Sequence, residues 1–397
     1  MKRTIVLSLL TIAGTWSLTH AEYKFFTPPG SYAVEISLEN SPYLRLPIYR
    51  NAITSLEVLG DWIIGGTSAH AGKSPFLFLC SLSRRRLEQA LDLEKSIPGQ
   101  RAVRSGFGRG KEGTLYAGSM PDRAGDSGHL LAVKVENQSL ALRDLGSPVP
   151  GEGVFALAAD PERARVYGIT SPSGKFFLHD LASGQTRIFD ETSPSRRTKA
   201  FLHDYVLETE DYLCRRLMVD RKGRVWGSLP VNRLFCFLPD ASRVEILKEE
   251  LPEGWGRRAL GRVDSWTMDD QGVLYGGCAS DGQLFRLDPD SGKVFNLGKP
   301  IQMPGLKGLA FAADGRLYGI AGGAPGYSHL FSYDPLSGGF LDLGNPRFDM
   351  KAPGIEQGIP WRGFQIGTLA ASEDGKFVVM GEEETLSQLM IFSVQEK

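Results

Sequence analysis

One short unit recurs along most of this chain, and repetition of that kind decides the fold before any other feature does. A tight turn leads into a strand of β-branched residues carrying an aromatic residue and a glycine. The clear copies are KEGTLYAGS (111–119), ERARVYGIT (162–170), RKGRVWGSL (221–229), DQGVLYGGC (270–278) and ADGRLYGIA (313–321). EDGKFVVMG (373–381) is a weaker copy, and LGDWIIGGT (59–67) is the weakest. Polar and glycine residues suit the turn, and β-branched and aromatic residues suit the strand.

The flanks repeat as well. GQLFRLDPDSGKVFNLG (282–298) and SHLFSYDPLSGGFLDLG (328–344) are near duplicates, and 174–190 and 232–248 follow the same plan. Each reads as strand, Asp-Pro or Ser-Gly turn, strand. An apolar stretch such as LKGLAFAA (306–313) precedes each aromatic-glycine strand. The unit is therefore four short antiparallel strands, A to D, over roughly 40 to 50 residues, the length of a propeller blade.

Such a sheet is apolar on both faces and buries them only by packing on its neighbours. The expected fold is all-β: a seven-bladed β-propeller with blades near 53–95, 101–146, 153–190, 212–247, 264–298, 306–344 and 366–395. Six or eight blades also fit, because the first and last copies are degenerate. The last blade lacks a D strand, and YAVEISL (32–38) is a strand without other employment. It is expected to complete the last blade and close the ring, which removes open sheet edges.

Lys2 and Arg3 precede a largely apolar run from Thr4 to Leu18, followed by small residues before the end of Thr19-His20-Ala21. This is the pattern of a secretory signal. Residues 1–21 are expected to be removed, leaving 22–397 as a single β-propeller domain, secreted or periplasmic. No run is long enough to span a bilayer, so no membrane insertion is expected. The 45 Lys and Arg nearly balance the 46 Asp and Glu, which gives no long-range attraction to nucleic acid. Cys80, Cys214, Cys236 and Cys278 form no CxxC pair and lie near no matching histidine pair, so no zinc site is expected. Their pairing stays open. Burial as small hydrophobes is expected for them.

In a propeller the D–A and B–C connections emerge on one face around the axial channel, and the A–B and C–D turns on the other. Here the second set is uniformly tight. The first set is long, with 191–211, 249–263 and 345–365 expected as loops that include a helical turn within 201–213. Function is expected on the D–A/B–C face. That face gathers His70, His203, Tyr205, Tyr212, Arg104 and Arg262 as candidate reacting residues. Trp255, Arg257, Arg258, Tyr327, Trp361 and Arg362 are candidate ligand-binding residues. Guanidinium forks match carboxylates and sulfates, and flat rings suit sugar faces. His129 and His329 fall at the same repeat position and are expected to be structural. No GxSxG elbow, P-loop or full calcium-ligand run occurs.

The LYG strands and the DP-x-SG turns resemble those of bacterial secreted propellers, including streptogramin-lyase-like proteins and seven-bladed polysaccharide lyases acting on uronate-containing glycans. The resemblance covers nearly all of 22–397, and its motifs specify blade construction. It implies a groove of His, Tyr and Arg on the channel face. A polysaccharide lyase would then cleave an acidic polysaccharide or oligosaccharide by β-elimination. Arg262 or Arg104 would neutralise the uronate carboxylate, His70 or His203 would act as base, and Tyr205 or Tyr212 as acid. The alternative is a non-catalytic propeller binding a glycan or protein at the cell envelope. A lactonase-like metal enzyme would need clustered Glu, Asn and Asp, for which no set stands out. A monomer without cofactor is expected.

Overall fold

The computed structural model describes residues 25–26, 29–36, 52–69, 74–203, 209–252, 261–323, 327–351, 360–362, 365–383 and 388–394. The leader 1–21 and the candidates His70, Tyr205, Trp255, Arg257 and Arg258 lie outside these residues. Seven blades of antiparallel strands stand in a ring. Strand A, nearest the axis, is Ala52–Leu59 in blade 1, Gly108–Arg109 in blade 2, Gly153–Asp160 in blade 3 and Met218–Val219 in blade 4. It is Val263–Met268 in blade 5, Leu306–Phe311 in blade 6 and Ile366–Ala371 in blade 7.

The core is divided among the blade interfaces, as sheets with two apolar faces require. Tyr167 and Phe176 of blade 3 meet Phe235 and Phe237 of blade 4. Trp226 and Leu234 of blade 4 meet Val263 and Phe285 of blade 5. Tyr275 and Leu284 meet Leu317 and Phe331 across the next interface, and Ile320 and Leu330 meet Val378 and Met390 across the one after. Val379, Leu389 and Ile391 of blade 7 pack on Ile53, Val58 and Phe78 of blade 1. Two further clusters join blades 1 to 2 and 2 to 3.

The aromatic-glycine signature has a direct packing cause. In register, Gly65 faces Phe78, Gly168 faces Phe177, Gly227 faces Phe235, Gly276 faces Phe285 and Gly319 faces Phe331. Each phenylalanine lies over the bare glycine, where a Cβ would fall far inside van der Waals contact of the ring. Blade 2 has Ala117 at this position, and its partner is the smaller Leu131. The turns are equally explicit. Asp269 Oδ1 accepts from the amides of Gln271 and Val273, and Gly272 takes φ of 89°, which a side chain would oppose.

The four cysteines are buried free thiols. Burial raises Cys214 to about 11 and Cys236 to about 12, which makes them inert near neutral pH. His129 and His329 are repeat equivalents in the structure too. Each Nδ1 donates to an aspartate on strand D, Asp144 at 2.9 Å and Asp342 at 3.0 Å.

Two of the long connections differ from the loops expected. Residues 191–217 carry helix α1 (Arg196–His203) and helix α2 (Thr209–Tyr212). Ser195 Oγ accepts from Thr198 N at 3.1 Å and caps α1. After blade 6 the chain does not leave the sheet at Gly344. One 13-residue strand, Gly339–Lys351, continues and pairs with Pro360–Arg362. Asn345 helps hold the continuation by donating to Ser328 O at 2.7 Å. Proline and glycine content alone had suggested a loop there.

Residues Tyr32–Glu35 pair antiparallel with Gln388–Ser393 of blade 7. Tyr32 donates to Leu82 O of blade 1 at 2.8 Å, and the Arg85 guanidinium lies 4.7 Å from its ring centroid. We propose that this pairing closes the ring. Deleting residues 22–36 is expected to lower the melting temperature and promote self-association through the bared edge, read by scanning calorimetry and light scattering. An unchanged melt would remove that role. Gly276→Ala is expected to cost about 1–3 kcal/mol by overpacking. Adding Phe285→Leu, the pairing blade 2 already uses, should restore most of it, and a urea titration of the three variants decides.

Candidate functional site

Strand A pairs with strand B in every blade, and in five blades the register skips one residue near the start of A. The skipped residues are Thr54, Phe155, Asp264, Lys307 and Gly367. A bulge leaves its residue out of the ladder and turns the side chain away from the sheet faces. The matching sequence positions in blades 2 and 4 are Arg104 and Arg215. Six of these seven residues, all but Phe155, line one pocket on the axis, together with Ile53, Arg216 and Glu383. The repeat thus brings the bulge position of six blades to the centre of the ring, five of them with a side chain, since Gly367 has none. The pocket lies where strands A begin and strand B of blade 7 ends, which is the D–A/B–C face.

Its chemistry is charged and crowded. Arg104, Arg215, Arg216 and Lys307 face Asp264 and Glu383, four cations against two carboxylates. Lys307 pairs with Glu383, and Arg262 Nε donates to Asp264 at 2.8 Å. Arg215 stands 3.9 Å from Asp264. Free volume inside is about 20 Å³, room for about one water or one ligand oxygen.

The insertion between blades 3 and 4 covers the mouth. Leu202 of α1 and Tyr212 of α2 pack with Leu213 on Ala102, Met120 and Phe155. The seventh bulge residue, Phe155, is therefore the apolar seat of the insertion. So seated, α2 presents Glu210 to Arg101 and to Arg104, the latter at 2.6 Å. Arg262 Nη1 also donates to Glu210 O at 3.1 Å. With these additions the mouth holds six cations and three carboxylates.

Burial governs the ionisation here. It lowers Arg104 to about 10, helped by Arg215, and lowers Arg216 to about 10 in the same way. Both stay charged at neutral pH and half-buried; Arg104 pairs with Glu210, and Arg216 donates to the carbonyls of Arg104 and Thr54. Burial alone would raise Asp264 and Glu383. Arg262 and Arg215 overcome it at Asp264, and Lys307 and Arg215 at Glu383, so both carboxyls sit below their ordinary range.

Of the sequence candidates, Arg104 and Arg262 meet at this site. Tyr212 is buried in the seat of the insertion, its hydroxyl 3.4 Å from Thr209 Oγ1. His203 is exposed at the end of α1, outside the pocket lining. Tyr327 is half-buried just before strand C of blade 6, also outside that lining. Trp361 and Arg362 lie on the short strand paired with the outermost strand of blade 6. Sequence reasoning missed Arg215, Arg216, Lys307, Asp264 and Glu383 as site residues. Aligning the seven A strands by their bulge would have found three of them as one column. Among the described residues no group of three His, Cys, Asp or Glu could hold a metal. No helix there is long and apolar enough to cross a membrane.

No family model and no curated protein matches the chain. Solved structures do match, and they define the class as a seven-bladed β-propeller. A catalytically inactive variant of virginiamycin B lyase from Staphylococcus aureus, solved with quinupristin, aligns with TM-score 0.61 at 9% identity. It covers 92% of this chain and 100% of its own. The extracellular domain of the hybrid two component system BT4673 from B. thetaiotaomicron aligns with TM-score 0.58 at 12% identity. That match covers 92% of this chain but 40% of the BT4673 chain. The WD40 repeats of RRP9 align with TM-score 0.57 at 12% identity, over 87% of this chain and 95% of that one. Likeness at these identities is likeness of fold.

The low carboxyl values predict a specific acid limb. Asp264 folds with a pKa below its unfolded value of about 3.9. Its contribution to stability is then complete above that value and is lost as pH falls through the lowered one. Asp264→Asn is expected to cost about 3 kcal/mol at pH 7, because it strips Arg262 and Arg215 of a buried counter-charge. The gap to the parent should close as pH falls below about 4. Urea melts from pH 7 to pH 3 test this, and a gap independent of pH would contradict it.

Proposed function

We propose that this propeller recognises an acidic glycan at the axial mouth, taking one uronate carboxylate of the chain into the cationic pocket. The observation that carries this reading is the excess of half-buried guanidinium and ammonium groups over carboxylates, focused at one point of the ring. Half-buried cations gain more from an anion than fully solvated ones do. The volume suits one carboxylate oxygen, not a whole sugar, so the rings of the glycan would rest on the mouth outside. Trp255, Arg257, Arg258, Tyr327, Trp361 and Arg362 are proposed to contact them there.

Glu210 has a part in this reading. Its carboxylate occupies Arg101 and Arg104, the groups a ligand carboxylate would use. A glycan would displace it by exchanging one carboxylate for another, at no net change in pairing.

Binding is favoured over cleavage by the state of the pocket acids. β-Elimination needs a proton acceptor with a pKa near the working pH, and Asp264 and Glu383 are held well below it. A lyase would draw its base from His70 or His203 and its acid from Tyr205 or Tyr212, with Arg104 and Arg262 neutralising the uronate. Secretion or a periplasmic location, with residues 1–21 as the leader, fits a glycan ligand and belongs to the same proposal.

Calorimetric titration with oligogalacturonate, beside its methyl ester, tests the reading. The free acid is expected to bind and the ester to bind at least about tenfold more weakly, the loss of one charge-assisted contact. Arg104→Met should weaken the acid by a similar factor, and Glu210→Gln should tighten it several-fold. Equal affinity for acid and ester would overturn the reading. Ultraviolet absorbance in the same samples reports new unsaturated uronate ends. A rise abolished by His70→Ala or His203→Ala would convert the binder into a lyase.

A further inference from the structure

Below the charged constriction the channel widens into a second space. It has a volume of about 400 Å³ and is bounded by the middle and later residues of the A strands. Small-molecule sites begin at about this size. Its walls carry polar and apolar surface in similar amounts, the apolar part from Leu56, Leu157, Leu217, Trp266, Leu309 and Leu369. At its far rim, on the face of the A–B turns, Arg109 donates to Glu57 at 2.7 Å and to Glu373 at 3.2 Å. That rim reaches solvent, since the Arg109 side chain is 45% exposed. Its entrance therefore faces away from the glycan mouth.

Two cations line the inner end, Lys307 and Arg216, and they differ. Lys307 is paired with Glu383. Arg216 donates only to main-chain carbonyls, Arg104 O and Thr54 O, each at 3.3 Å, and forms no ion pair among the described residues. Those two bonds leave part of a five-donor fork unused. Ser105, Ser265 and Thr368 flank it at the same level.

A chamber with a band of leucines and Trp266 and, at its inner end, a guanidinium without a carboxylate partner among the described residues has a definite complement. We propose that the chamber is a binding site for a small apolar-tailed monocarboxylate, entering from the A–B turn face. Its carboxylate meets Arg216 at the inner end, and its tail lies along the leucines and Trp266. One unpaired cation matches one negative charge, and a dianion would leave a charge stranded beside the leucines. The site opens on the face opposite the glycan mouth, and although Arg216 also lines the charged pocket, Glu210 pairs with Arg101 and Arg104 and not with it.

Octanoate is the probe, and 1-octanol is its uncharged counterpart. Calorimetry on the full chain should show octanoate binding with octanol at least tenfold weaker. Arg216→Met should weaken octanoate at least tenfold. Val219→Phe, which fills the chamber from the strand A of blade 4, should weaken octanoate and octanol alike. Thermal melts establish that each variant folds, and if Arg216→Met does not, Val219→Phe and the octanol comparison decide. Equal affinity for octanoate and octanol overturns the proposal. So does undiminished octanoate binding in the folded variants, or none in the parent. Oligogalacturonate affinity is read in a separate titration with Arg104→Met, so failure of one site is not mistaken for failure of the other.

Discussion

The glycine opposite each phenylalanine sets how the sheets can pack, and much of the rest depends on it. A ring laid flat over Gly65, Gly168, Gly227, Gly276 or Gly319 keeps the blade thin while filling the space a side chain would need. Thin, apolar-faced blades then stack closely enough for each interface to form its own core. Wedge-like stacking of seven such sheets brings the seven A strands near one axis. Only then does a bulge at the start of strand A become useful, because in six of the seven blades the residue at that place borders the axial pocket.

Bonds between blades hold that inner ring at a fixed radius. Ser55 Oγ donates to Val103 O of the next blade at 3.0 Å, and Ser265 Oγ does the same to Leu306 O at 2.6 Å. Val263 N donates back to Ser228 Oγ of blade 4 at 3.1 Å. Ser55 and Ser265 sit one residue beyond the bulge of their blades, so two of the residues that seal the ring are neighbours of those that charge its centre. A rigid scaffold holds the charges where water cannot easily relax around them, which is the condition under which fixed charges recognise a ligand strongly.

Most of the fold was legible in sequence because its determinants are local. A glycine after an aromatic residue, an aspartate three residues before a turn glycine, and alternation in short strands each act within a dozen residues. They recur often enough to set strand order and to point to seven blades, although six or eight also fit the degenerate first and last copies. The face bearing the long connections was legible for the same reason. The site was less so. Arg104 and Arg262 read as loop arginines in the sequence, whereas Arg215, Lys307 and Asp264 lie inside apolar-looking strand starts such as LKGLAF and RVDSW. Their meeting depends on register, and register is a relation between strands that no single segment states. The continuation of blade 6 through Asn345 was hidden likewise, since a hydrogen bond to Ser328 outweighs what proline and glycine suggest locally.

Charge at the axis also breaks the rules that the rest of the chain obeys. Elsewhere, buried polar groups serve turns, seals or strand pairs such as His329 with Asp342. At the bulge ring, arginines are buried deeply enough to lower them to about 10, while fewer carboxylates stand beside them. A buried ion network is a poor source of stability, and apolar side chains at the same places would often serve the fold as well or better. Phe155 shows that the position accepts an apolar residue, and Gly367 shows that it accepts none at all. The cations are therefore not demanded by the propeller. In the proposed function, their cost in desolvation is offset when an anion arrives at the axis.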